Sequence, residues 1–138
     1  MKTRVALYGD VNLNLIDGSA IWLAALAETL ALDPDCDVTV VLKAPIERDL
    51  VVAGLKGHTN VRLVTHPDRP ARLTPAQALD LIEELDADER FDVVLLRGFV
   101  LCRQAAERDR LRGRLWTYLT DIPQQPHLAS AEDRAALG

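Results

Sequence analysis

Five short apolar runs, each followed by a stretch of different period, limit what this chain can fold into. Arg4 to Gly9 ends in VALYG, Asp37 to Leu42 reads DVTVVL, and Val61 to Thr65 carries RLV. Phe91 to Leu96 reads FDVVLL, and Leu115 to Leu119 reads LWTYL. These runs are near-continuous rather than alternating. Strands of that kind are buried on both faces, which is the pattern of a parallel sheet covered by helices. Between them the period changes to that of a helix. A first helix is expected over Ala20–Leu32, with Ile21, Trp22, Ala25, Leu26, Thr29 and Leu30 on one stripe, widened by Leu23 and Ala27. Asp33-Pro34-Asp35 stops it, because proline cannot continue a helix.

A short helix is expected over Ile46–Leu55, with Gly57 just past its end. Thr74-Pro75 opens the next one, Thr as cap and Pro in the first turn, and Ala78, Leu81, Ile82 and Leu85 follow its period. A further helix is expected over Val100–Leu111, and Ser130 can cap another, with Asp133 in its first turn. The order is βαβαβαβαβ. With right-handed crossovers this gives an α/β, doubly wound parallel sheet of about five strands. The chain has 138 residues and no internal repeat, low-complexity tract or interior linker, so residues 1–138 read as a single domain. A domain of that size buries roughly two-thirds of its unfolded surface and needs no metal or disulfide to hold it.

Charge and cysteine content narrow the function. The net charge is −5, against the basic patch that nucleic-acid binding requires. Arg103, Arg108, Arg110, Arg112 and Arg114 cluster, and read as the solvated face of a helix. Cys36 and Cys102 are far apart and form no C-x-x-C pair, so reduced thiols and no metal site are expected. Met1-Lys2-Thr3-Arg4 leads straight into a strand with no signal peptide. The longest apolar run, Ala20 to Ala27, falls well short of the ~20 residues of a membrane span. A cytoplasmic location is therefore expected. No Ser-His-Asp spacing, H-E-x-x-H or metal cluster is visible, and His66 and His127 read first as ordinary loop residues.

In a doubly wound sheet, ligands bind outside the strand C-termini, where the strand order reverses. With the order 3-2-1-4-5 that point lies between the first and fourth strands. The residues reaching that edge are Asp10 to Ser19, Lys43, His66, Arg97-Gly98 and Asp121. The long loop after the first strand has neither the G-x-G-x-x-G of dinucleotide binders nor a G-K-[ST] phosphate loop. It has one glycine, Gly18, at the start of the helix, where a ligand can approach the backbone and the free N–H groups of the first turn. Asn12, Asn14 and Asp17 supply acceptors, and the asparagines also donors, as a sugar requires. Asp17 and Ser19 equally serve as helix caps. Arg97 can bind a carboxylate or phosphate as a fork, or form a structural ion pair with Asp10 or Asp121. Asp121 is the candidate general base, and equally a turn residue before Pro123.

Two segments carry a family resemblance. VALYGDV followed by a loop with DGSA entering IWLAALAETLA, and Arg97 to Gln124 (RGFVLCRQAAERDRLRGRLWTYLTDIPQ), resemble the N-terminal domain of GT-B glycosyltransferases of the family-4 type. The resemblance covers most of the chain and implies a Rossmann-like N-terminal, acceptor-side domain. It implies transfer of a sugar from a nucleotide-sugar donor to an acceptor hydroxyl, with retention of configuration. Asp17-Gly18-Ser19 match the first-strand loop that in this family lies at the interdomain cleft, near the donor diphosphate and sugar. The family often has a His-Asp pair after its fifth strand, where this chain has Thr120-Asp121. The family's second domain, which grips the nucleotide and supplies paired Glu residues, is expected to continue beyond Gly138 or to come from a separate chain. No resident cofactor is implied. The resulting site comprises Asp121 as catalytic residue and Asn14, Asp17, Gly18, Ser19, Arg97 and Gly98 as substrate-binding residues. A non-catalytic α/β module binding a nucleotide or a partner is the alternative. A receiver-like domain fits less well, lacking the acidic pair after the first strand and the Lys after the fifth.

Overall fold

The computed structural model describes residues 2–65 and 72–118. Five parallel strands form one sheet: β1 (Thr3–Tyr8), β2 (Cys36–Val41), β3 (Val61–Val64), β4 (Val93–Arg97) and β5 (Leu115–Tyr118), in the order β3-β2-β1-β4-β5. β1 is central. Val5 to Leu7 sit opposite Val38 to Val40 on one side and Val93 to Leu95 on the other. The chain winds outward through β2 and β3, then crosses to β4 and β5. The fold is therefore Rossmann-like and doubly wound, as the apolar runs imply, and the order reverses between β1 and β4.

Each face has its own core. On one side, α1 (Gly18–Ala31) lays Ala20, Leu23, Ala24 and Ala27 on Val5, Leu7, Val38 and Val40. Three alanines at the contact keep the helix close to the sheet. On the other side, α2 (Pro75–Glu89) and α3 (Phe99–Ala106) cover Ala6, Tyr8, Val94 and Leu96 with Leu79, Ile82, Leu101, Cys102 and Ala105. α2 begins with a full capping box, Thr74 and Gln77 each accepting a backbone N–H of the other, with Pro75 in the first turn.

Three expectations are corrected. Residues 46–52 are irregular, and only Ala53–Leu55 form a single 3₁₀ turn. The Asn14 side chain accepts from the Glu47 and Arg48 N–H groups of this stretch, as described below. The helix expected over Val100–Leu111 is two, α3 and α4 (Asp109–Arg112), with Arg108 extended between them at φ −95°, ψ 110°. From there the Arg108 guanidinium donates to Asp80 and Glu83 of α2, both at 2.7 Å, and to the Ala76 carbonyl at 3.2 Å. Arg103 and Arg112 pair locally with Glu107 and Asp109 on the surface, as a solvated face would, but the other three arginines do not. Arg108, Arg110 and Arg114 bind Asp80, Glu83 and Asp86, which repeat every three residues along α2. Asp86 is the centre of this network. It is 2% exposed, accepts from the Phe91 N–H at 2.8 Å, and takes a fork from Arg114 at 2.6 and 2.8 Å. The Arg114 guanidinium holds its carboxyl well below the usual carboxylate range, against the opposing effect of burial. Through Asp86, the C-terminal turn of α2 fixes the start of β5.

Candidate functional site

The loop from Asp10 to Asp17 leaves β1 at the C-terminal edge of the sheet. Asp10 takes a left-handed backbone, φ 51°, which aspartate tolerates better than most residues. Its carboxylate accepts from Lys43 Nζ at 3.0 Å and from the Tyr8 hydroxyl at 3.3 Å. Burial, together with Asp10, holds the Tyr8 phenol above its usual range. Asp10 is thus the partner of Lys43 rather than of Arg97.

Asn14 stands in the middle of the loop, and its amide is fully used. Oδ1 accepts from the Glu47 and Arg48 N–H groups at 2.6 and 2.8 Å. Nδ2 donates to Asn12 Oδ1 at 2.8 Å and to the Pro45 carbonyl at 2.9 Å. A carboxamide has two acceptor sites and two donor protons, so none is left for a ligand. Asn14 is a staple between two loops, which its sequence position did not reveal.

Asp17 caps α1, its Oδ1 accepting the Ala20 N–H at 2.8 Å. Gly18 is the first helical residue, and a Cβ placed on it meets nothing within 4 Å. The fold therefore does not require glycine there. Ser19 follows, and its Oγ accepts from Arg97 Nη2 at 2.6 Å. Arg97 is the last residue of β4 and shares the α1-facing side of the sheet with Leu95. No carboxylate among the described residues pairs with it, whereas Arg62, Arg108, Arg110 and Arg114 each have one. Gly98 adopts φ +113° as it turns the chain into α3, and its N–H donates to the Tyr118 carbonyl at 3.2 Å. Its role in the structure is to bend the backbone beside Arg97.

Asp17, Gly18, Ser19 and Arg97 line one open crevice of about 370 Å³, completed by Trp22 and Tyr118. The two aromatic rings stack with centroids 4.3 Å apart and planes 19° from parallel. Strand register puts them there: Tyr118 lies opposite Arg97, and Trp22 is one helical turn beyond Gly18. From the sequence, Trp22 reads as part of an apolar stripe and Tyr118 carries no expectation. The available signal was Trp-Thr-Tyr, two aromatics on one face of an edge strand, in a chain with only two Trp, two Tyr and two Phe. Asp121, Thr120, His66 and His127 lie outside the described residues, as does the helix expected after Ser130.

A larger cavity of about 470 Å³ opens at the opposite rim, beside the strand N-termini. There Arg62 binds Glu89 and Thr39, and Arg4 donates to the Glu89 carbonyl. The switch-point crevice is smaller, but it brings together a guanidinium bound to a serine hydroxyl, the first turn of α1 and two stacked aromatic rings at the edge where the strand order reverses. No group of three His, Cys, Asp or Glu residues could hold a metal ion among the described residues, and none of their helices is long and apolar enough to cross a membrane. Comparison with protein-family models, curated proteins and solved structures gives no match in any of the three.

Proposed function

We propose that this chain is the N-terminal, acceptor-side half of a glycosyltransferase, moving a sugar from a nucleotide-sugar donor to an acceptor hydroxyl. The observation that supports the reading is the meeting of Ser19 and Arg97 at the switch point, in one crevice with Asp17 and Gly18. Such a wall offers what a hydroxylated or phosphorylated ligand needs. The guanidinium retains N–H groups for a phosphate or carboxylate, the Asp17 carboxylate and Ser19 hydroxyl suit sugar hydroxyls, and Gly18 lets the ligand reach the first turn of α1. Asp121 would take the proton from the acceptor hydroxyl. The crevice is an open wall rather than a closed pocket, which fits a site completed by a C-terminal donor domain, in cis or in trans. Glycosyl transfer depends on holding donor against acceptor, so the chain alone is expected to show no measurable turnover.

Saturation-transfer NMR with UDP-glucose, UDP and methyl glucoside tests this. Transfer to sugar-ring protons, with no hydrolysis or transfer by the chain alone, is the expected result. Saturation confined to the nucleotide, or steady turnover by these residues alone, contradicts it.

A second reading, a non-catalytic nucleotide- or partner-binding module, draws on Asn14. With its amide spent on Asn12, Pro45, Glu47 and Arg48, Asn14 leaves a sugar fewer groups than the loop's composition implies. A split transferase, with the donor domain on a separate chain, shares the geometry of the first reading.

A further inference from the structure

Four residues that wall the switch-point crevice are direct neighbours in a closed circuit. Ser19 Oγ accepts from Arg97 at 2.6 Å. Arg97 and Tyr118 are register partners, so they leave the sheet on the same face, one strand spacing of about 4.8 Å apart. Tyr118 stacks on Trp22 with ring centroids 4.3 Å apart. Trp22 is three residues beyond Ser19 on α1, about 5–6 Å away on the same helix face. Asp17 and Gly18 join the circuit at Ser19 and line the same crevice. No link exceeds about 6 Å, so a group the size of one sugar ring meets the polar side chains and the aromatic ring together.

Charge narrows what such a circuit takes. The Asp17 carboxylate and the Arg97 guanidinium are the charged side chains lining the crevice, and they cancel. An anion drawn to Arg97 meets a carboxylate on the same wall, which disfavours it. A neutral ligand meets an acceptor, a donor and a hydroxyl. The free aromatic surface is chiefly that of Tyr118, which is 44% exposed, while Trp22 is half-buried. A pyranose matches this division, with C–H groups on a ring face and hydroxyls around its rim. We propose that the crevice binds a neutral pyranoside, its C–H face on Tyr118 and its hydroxyls on Asp17, Ser19 and Arg97. Tyr118 is then a specificity-determining residue. Naming this ligand the acceptor rests on the transferase reading; the sugar-binding wall does not.

The test is a titration of the ¹⁵N-labelled chain with methyl glucoside, with UDP and inorganic phosphate as the competing classes. Methyl glucoside is expected to shift the Trp22 indole N–H and the Tyr118 amide saturably, and its C–H protons should give NOEs to the Tyr118 ring. Tyr118→Phe should keep the affinity within about twofold, and Tyr118→Leu should weaken it at least about fivefold. Asp17→Asn, which caps a helix about as well, leaves the crevice with a net positive charge and should tighten inorganic phosphate at least about threefold. Missing NOEs to Tyr118, or a Tyr118→Leu chain with unaltered affinity, would overturn the proposal. So would UDP or inorganic phosphate moving these resonances at lower concentration than methyl glucoside. The NOEs are read on the unaltered chain, so they decide even where Tyr118→Leu does not fold. Methyl glucoside that moves the Gly18 amide and the Arg97 Nε–H but not Tyr118 would remove the Tyr118 assignment and leave the transferase reading. Binding at Tyr118 without sugar transfer to the glucoside, once a donor domain is supplied, would remove the transferase reading alone.

Discussion

Replacing Asp86 by alanine tests whether the α2–β5 clamp holds the site together. Asp86 accepts one backbone N–H and three guanidinium N–H groups, with side chains 2% exposed at Asp86, 22% at Arg114 and 47% at Arg110. Removing one member of a buried ion pair costs roughly 3–5 kcal/mol. The exposed Arg110 contributes at the surface scale, under about 1 kcal/mol. The fork from Arg114 and the orphaned Phe91 N–H carry the rest. Asp86→Ala is therefore expected to cost about 4 kcal/mol, roughly 15 °C in Tm at ~4 °C per kcal/mol for a chain of this size. Arg110→Ala is expected to cost less than about 1 kcal/mol. Urea unfolding followed by far-UV circular dichroism measures both. Because the native state lowers the Asp86 pKa, its contribution is complete above the unfolded value of about 3.9 and is lost as the pH falls below it. The difference between wild type and Asp86→Asn should therefore be constant from pH 7 to about 5 and shrink below about pH 4. An Asp86→Ala cost no larger than that of Arg110→Ala, or a gap that widens in acid, would refute this reasoning.

The two site glycines should behave in opposite ways. Gly98→Ala, at φ +113°, is expected to cost about 1–3 kcal/mol in urea unfolding, while Gly18→Ala, helical and in open space, should leave the midpoint unchanged or slightly raised. Asn14→Ala removes the acceptor shared by Glu47 and Arg48, and hydrogen exchange at those two amides should quicken at least roughly tenfold, with a loss of about 1–2 kcal/mol.

The sheet was legible because its signals are local. Continuous apolar runs such as DVTVVL leave a strand few alternatives, right-handed crossovers favour a doubly wound sheet, and the common strand order for such sheets is the one found. Asp17 and Thr74-Pro75 were legible for the same reason, since a cap acts within three residues. The misread elements depend on partners far away in sequence. Residues 46–52 satisfy helical periodicity, yet they run as an irregular segment that Asn14, more than thirty positions upstream, ties to the first loop through the Glu47 and Arg48 N–H groups. Arg108 interrupts a helix because three groups on α2 lie within its reach. The candidate site was partly legible: the topology rule brings Ser19 and Arg97 to one edge, as found. The aromatic wall was not, because Trp22 and Tyr118 meet only after β5 has been placed beside β4.

The proposed function requires that the corner at Asp17–Ser19 and the end of β4 form one ligand site. Its most direct test is a ¹H–¹⁵N titration of the chain with a nucleotide sugar and with methyl glucoside, read at the Gly18 and Ser19 amides and the Arg97 Nε–H. All three are expected to move together along one binding curve, and Gly18→Val, which fills the crevice without touching the core, is expected to flatten that curve while the chain stays folded. Resonances that stay still, or that move with separate affinities at the two ends of the crevice, would contradict it.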